Sequence, residues 1–499
     1  MLTGCWTTVK SVFYRITLTR FTTAFFVFIF AHAFSEAFLQ AFLFSQDSHA
    51  SNVATDILHQ ARVPRNNFGI LHRHDGHATL QLCNEIPTSF SDPCEKIFET
   101  GNRTLQLPTN FNLTTNIFIE GVIPTQGGVN VELDDGQTVS LNQMCTLVLT
   151  YPHQVLMNAQ REDIVLVLTQ FWIFCVSFFA IMYDSIPHLI AALCFRILST
   201  AWSMYIIWRT VDIHSRFEIL LNSADSPCQI PGATPVDIVD ALFSGYFEAR
   251  EALQIPDLVM NVVSLCMAIY LSVKLIKVYG PHTFNRVGAP KEIIRIYKYF
   301  LAVFVSFQVS ALLLISAVCL WLDQLLDRNN AISGMTWHKP LYVALSIFTL
   351  AILIPWITMG WYAVRREWKK LMVVFLAIAA IVFTSWILML KSWSFLWTFI
   401  NWPFFACQIV AASIALMATI TFGIISYLHF GKGLAHYLYV DDVLAKAGFE
   451  PELFEKDVEK NAPEDWREIG LDDVPTYTIS FTTDKRDLID PGKQGVDRK

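Results

Sequence analysis

Three histidines, His72, His74 and His77, stand around the Asp75-Gly76 pair in the stretch ILHRHDGHATLQL, residues 70–82. Imidazole nitrogens bind zinc and titrate near pH 6.5, so the cluster offers metal holding, acid sensing or simple solvation of a turn. A two-residue Asp-Gly turn predicts a hairpin that pairs His74 with His77 and His72 with Thr79. Side-chain alternation then sets Ile70, His72, His74, His77, Thr79 and Gln81 on one face. Leu71, Arg73, Ala78, Leu80 and Leu82 share the other, which is the face expected to meet a core. Neither a fourth ligand nor an acceptor for the free ring nitrogens stands nearby. A solvated hairpin face therefore ranks ahead of a zinc site, with an acid-sensitive contact surface as the remaining alternative.

A second set lies in apolar sequence. His32, Glu36 and Gln40 follow at i, i+4 and i+8, which places them on one helix face, and Arg196 interrupts another apolar run. Ionisable groups at such positions cost about 2.5–3.5 kcal/mol on insertion scales. A Glu36–Arg196 pair would relieve both charges, although Glu36 is expected in the outer half of the membrane and Arg196 in the inner half. Arg196 snorkelling to the surface is the other structural option. A substrate or ion path lined by His32, Glu36 and Arg196 is the functional one. Asn261, Gln308 and Gln408 read as interhelical hydrogen-bonding residues.

The elements that hold these residues follow from composition. The 499 residues are 54% hydrophobic, 14% aromatic and 16% charged, against about 25% charged in an ordinary soluble protein. Eight apolar runs are long enough to cross a bilayer, at 22–44, 164–183, 188–208, 257–278, 299–322, 341–364, 371–390 and 404–428. The expected fold is an α-helical polytopic membrane protein with a small, mainly β extracytoplasmic domain.

Lys and Arg gather in the N-terminus, in the connection KLIKVYGPHTFNRVGAPKEIIRIYK and in RREWKK, so these sides read as cytoplasmic and both termini as inside. The domains are then a cytoplasmic N-terminus (1–21), a first helix (22–44), an outside domain (45–162), a seven-helix bundle (163–428) and an acidic cytoplasmic tail (429–499). The first run, FTTAFFVFIF followed by AHA, also fits a cleaved secretory signal. Apolar character continuing to Phe44 favours a retained helix, and cleavage would leave seven crossings.

Residues 45–162 are long enough to fold independently and show strand-like alternation in TNIFIEGVI and VNVELDDGQTVSLNQMCTLVLTY. Asn102 and Asn112 open N-glycosylation triplets. Cys83, Cys94, Cys145 and Cys228 fall on the oxidising side and allow three pairings, of which Cys83–Cys94 and Cys145–Cys228 are preferred. The other cysteines lie in apolar segments, apart from Cys5 in the cytoplasmic N-terminus. No phosphate-binding glycine loop, His-Glu-x-x-His, Gly-x-Ser-x-Gly or paired-cysteine zinc pattern occurs, so neither an enzyme nor a cofactor is expected.

The second half, through FEAREALQIPDLVMNVVSL, FNRVGAPKEIIRIYKYF, LWLDQL, IPWITMGWYAVRRE and FGKGL, resembles multi-span membrane proteins of fungi, particularly basidiomycetes, with no assigned activity. The resemblance implies a helical bundle with a basic cytoplasmic loop and supplies no catalytic residues. Seven crossings after a folded outside domain are also similar in plan to receptor-like and cargo-receptor architectures, an analogy that fixes no function.

The leading expectation is a non-enzymatic plasma-membrane protein whose glycosylated ectodomain binds an extracellular or lumenal protein, facing the host in a host-associated fungus. The alternatives are a transporter or lipid-handling protein, and a chaperone or cargo receptor of the endoplasmic reticulum or Golgi. The expected surroundings are the lipid bilayer and a cytosolic partner for the acidic tail, with no nucleic acid.

Overall fold

The computed structural model describes residues 12–65, 67–74, 77–88, 93–101, 122–125, 128–132, 138–229, 237–285, 291–327, 330–433, 440 and 443. The Asp75-Gly76 turn, Asn102, Asn112, Cys5 and nearly all of the acidic tail lie outside the described residues. The chain divides into the units 1–448 and 449–499, and every described helix and strand belongs to the first.

After a short helix α1, described over 12–17, the long helix α2 runs Arg20–Gln60. Its start is fixed by a capping box between Thr19 and Thr22. Strands β1 (Phe68–His74), β2 (His77–Cys83) and β3 (Cys94–Glu99) make one antiparallel sheet, in the order β1-β2-β3. A second antiparallel sheet holds β4 (Val122–Thr125), β5 (Gly128–Glu132) and β6 (Thr138–Leu141).

Helix α3 (Gln143–Val148), capped by Asn142, leads into α4 (Thr150–Met182), and α5 (Ile186–Phe217) ends in a π-helical turn, Glu218–Asn222. The short α6 (Ile238–Leu242) precedes α7 (Tyr246–Asn285) and α8 (Lys291–Leu326). The chain continues through α9 (Ala331–Met335), α10 (Lys339–Arg365), α11 (Lys369–Met389), α12 (Trp393–Asn401) and α13 (Pro403–Leu428). Pro355 sits inside α10, which continues past it as one helix.

Eight of these helices, α2, α4, α5, α7, α8, α10, α11 and α13, are long and apolar enough to cross a membrane. They pack as two groups of four. Helices α2, α4, α5 and α7 touch one another, α8 packs against α10 and α13 with α11 bridging those two, and α8 also meets α5. The second group is apolar inside, around Trp321, Trp356, Phe375, Phe395 and Phe405.

The first group is built the opposite way, and α2 shows why. Its outward face presents exposed Val27, Phe30, Phe34, Phe38 and Phe42, while the face turned inward buries His32, Glu36, Gln40 and Asp47. Apolar outside and polar inside is the arrangement a bilayer stabilises, because lipid cannot satisfy a polar side chain.

The sequence expectation fails at the ends of the helices. The apolar run 22–44 is only part of α2, and the run 164–183 only part of α4, so the helices stand about 27 Å and about 21 Å beyond their last exposed large apolar residues, Phe42 and Ile164. Hydropathy finds the stretch that lipid contacts, and a helix that leaves the lipid with a mixed surface gives no such signal. The two sheets do not form a core of their own. Leu80, Leu82, Ile97, Phe98 and Leu141 pack with Ala54 and Ile57 of α2, Leu156 of α4 and Phe217 of α5. A small sheet needs its apolar face covered, and here the projecting helices cover it.

The disulfides Cys83–Cys94 and Cys145–Cys228 are both formed, the second fastening α3 to the segment after the π turn.

Candidate functional site

The hairpin carries the expected register, with His74 opposite His77 and His72 opposite Thr79. Leu80 and Leu82 are buried while His72, His74 and His77 are exposed. Ile70, on the histidine face, is buried with Phe68 against Ala331 and Trp397, so that face is solvated only toward the turn. Among the described residues no group of three or more His, Cys, Asp or Glu side chains is placed to hold a metal ion, the hairpin histidines included.

The chemistry concentrates inside the first helix group. Arg196 Nη1 lies 3.1 Å from His32 Nδ1 and donates to Ser264 Oγ at 3.1 Å. Its guanidinium also lies 5.1 Å from the Phe28 ring centre. Ser264 is midway between Ile255 and Val273, the first and last exposed large apolar residues of α7 toward the lipid, so Arg196 sits near the middle of the apolar belt and does not snorkel. The expected Glu36–Arg196 ion pair is replaced by a relay, because His32 stands between them with Nε2 3.7 Å from Glu36 Oε1.

From Glu36 the track continues toward the β end. Asn261 donates to Glu36 Oε1 and to Ser203 Oγ, each at 3.2 Å. Ser203 and Gln40 donate to the two oxygens of Asp257 at 2.6 and 2.7 Å. Glu36 and Asp257 are thus joined through Asn261 and Ser203, two buried carboxyl groups on one hydrogen-bonded chain.

About 16 Å further along α2, eleven residues on, Asp47 accepts from Tyr246 at 2.8 Å and pairs with Arg250. A second acid, the wholly buried Asp163, lies within electrostatic reach of Asp47 and Arg250. Beside them Arg209 donates to both oxygens of Glu162, and Trp402 Nε1 donates to Glu162 Oε1 at 2.6 Å. At the rim Arg161 bridges Asp323 and Asp327 at 2.5 and 2.6 Å. The other end of the track is closed by Phe25, Ile29, Leu271 and Leu275.

The sequence therefore names His32, Glu36, Gln40, Arg196 and Asn261 of this site and misses Asp47, Asp163, Glu162, Arg209, Arg250 and Asp257. These six stand at or past the edges of the apolar runs, where charge is ordinarily read as solvated. One signal was present: Asp47 continues the helical stripe of Glu36 and Gln40 two turns on.

No protein-family model, no curated protein and no solved structure matches the chain.

Proposed function

We propose that this is a multi-pass membrane protein that passes protons, or a small cation in their place, along the polar track of its first four helices. The observation that carries this reading is the set of buried acids in the first helix group. Glu36 and Asp257 are joined through Asn261 and Ser203, and Asp163, without a hydrogen-bond partner among the described residues, is buried near Asp47 and Arg250. Neighbouring buried carboxylates repel one another when both are ionised, which favours a proton or a small cation among them. The charge count agrees. Glu36, Asp47, Glu162, Asp163 and Asp257 are buried, and among the described residues the cationic groups facing them are Arg196, Arg209 and Arg250, with His32 beside Glu36, since Arg161 is matched by its own two aspartates. Ionisable side chains lining a bundle interior are the usual material of proton relays.

Purified protein in liposomes, with a trapped pH dye and an imposed gradient, tests this. Flux is expected in the parent chain and its loss in Glu36→Gln and Asp257→Asn. Equal flux in parent and both variants overturns it.

The partner-binding reading is supported by a different feature, the exposed His72, His74 and His77 on a hairpin held to the bundle by a shared core. Because that core is shared, deleting the β segment would unfold it, so the test is substitution of all three by Gln. Identical co-purifying proteins with and without the histidines sink that reading. The basic connections at the opposite end favour an outward-facing β end, in the plasma membrane or an organelle of the secretory pathway.

A further inference from the structure

A recess of about 330 Å³ opens where the end of α2 meets the start of α4. It is lined by His59, Arg62 and Arg65, by His153, and by Thr55, Thr150 and Asn67 among others, with no carboxylate among the described residues of its wall. His153 Nε2 lies 3.1 Å from Thr55 Oγ1, which joins the two helices beneath it. Asn67 and Thr150, which this recess shares with a neighbouring cavity beside Asn158 and Arg161, each bury a polar atom, Nδ2 and Oγ1, that has no hydrogen-bond partner among the described residues, and both residues are only 6% exposed.

The geometry points to an oxyanion-binding site, occupied by a phosphate or a phosphorylated small molecule. Burying an amide donor without an acceptor is costly, so Asn67 Nδ2 calls for an oxygen that the described residues do not supply. The wall around it is cationic, and guanidinium groups pair with phosphate oxygens in fork geometry. Arg62 and Arg65 also offset the partial negative charge at the C-terminal end of α2, but that role needs no enclosed recess and leaves Asn67 unsatisfied.

The occupant is soluble. The recess lies on the helix ends that stand about 27 Å and about 21 Å beyond Phe42 and Ile164, out of reach of a headgroup at the membrane surface. Its chemistry is separate from the carboxyl track, since it takes an anion where the track takes a proton or cation.

The test uses the full chain in nanodiscs of neutral lipid, titrated with inorganic phosphate by calorimetry and by thermal unfolding. Phosphate is expected to bind and to raise the unfolding temperature. Arg62→Gln and the charge reversal of exposed Arg65→Glu are each expected to weaken binding about tenfold or more, the equivalent of about 1.4 kcal/mol. Asn67→Ala should weaken it while leaving the apo unfolding temperature unchanged or raised, because a buried unsatisfied donor is removed. A second arm replaces soluble phosphate with anionic lipid in the disc. Stabilisation only by anionic lipid, or phosphate binding unchanged in all three variants, overturns the assignment.

Discussion

Arg209 grips Glu162 with a single nitrogen, Nη1 lying 2.8 and 2.7 Å from the two carboxylate oxygens. Glu162 has no exposed surface, and the indole of Trp402, at the start of α13, donates to the same carboxylate. The pair therefore ties α4 to α5 and, through Trp402, both of them to the second helix group. With the Arg161–Asp323 pair it forms a polar joint between a group with a charged interior and one whose interior is aromatic.

Removing half of this joint should be costly. A buried charge that loses its partner typically destabilises by about 3–5 kcal/mol, whereas replacing both partners with apolar groups is often neutral. Arg209→Met is expected to cost about 3 kcal/mol or more, and Arg209→Met with Glu162→Leu substantially less. Unfolding of the detergent-solubilised single and double variants measures this directly. A double variant as unstable as the sum of the singles would show that the pair acts through something other than its uncompensated charge.

The two disulfides close loops of very different length, with sequence separations of 11 for Cys83–Cys94 and 83 for Cys145–Cys228. On the chain-entropy account the longer loop contributes about 2 kcal/mol more than the shorter. Cys145→Ser with Cys228→Ser should therefore lower the unfolding temperature further than Cys83→Ser with Cys94→Ser. The longer link also holds α3 against the segment after the π turn, which the shorter does not. Equal losses would indicate that native-state packing, not loop closure, sets the contribution.

The parts of this structure legible in the sequence are those governed by one strong term. Twenty-residue apolar runs gave eight crossings because lipid tolerates nothing else, and period-two alternation around Asp75-Gly76 gave the hairpin register down to His72 opposite Thr79. What stayed hidden depends on several helices at once. Arg196 could be seen to need a partner, yet His32, rather than Glu36, lies nearest to it because Ser264 of α7 holds the guanidinium from the other side. Asp257 read as the edge of an apolar run, and only the approach of Ser203 and Gln40 from two other helices makes it part of a track. The extent of α2 was equally invisible, since its last turns are stabilised by a sheet formed later in the chain.

Gly360 offers a prediction inside the apolar group. A Cβ built on it would lie 2.6 Å from Cε2 of Phe375, whose ring is fully buried and stacked on Trp356 with centroids 5.0 Å apart. Glycine at this position lets α10 and α11 approach. Ordinarily Gly→Ala in a helix interior would stabilise by up to about 1 kcal/mol. Here the ring cannot move without breaking its stack, and overpacking of this kind costs about 1–3 kcal/mol. Gly360→Ala should thus lower stability, while Gly→Ala at an uncrowded helical site would raise it. A stabilised Gly360→Ala protein would mean that Phe375 has room to shift.

The hairpin histidines should behave in the contrary way. His72, His74 and His77 are exposed, and the buried residues that seat the hairpin are Leu80, Leu82 and, at its base, Phe68 and Ile70. Surface substitutions away from packing and caps usually stay within about 0.5 kcal/mol. The triple change to Gln is expected to leave the unfolding temperature of the full chain within that range, whereas Leu80→Ala, which empties a fully buried site, should cost about 2–5 kcal/mol. Thermal unfolding of the two variants side by side separates the faces. A large loss from the triple Gln variant would show that the imidazoles hold the hairpin in place, and any effect of that variant on partner binding could then no longer be assigned to a contact surface.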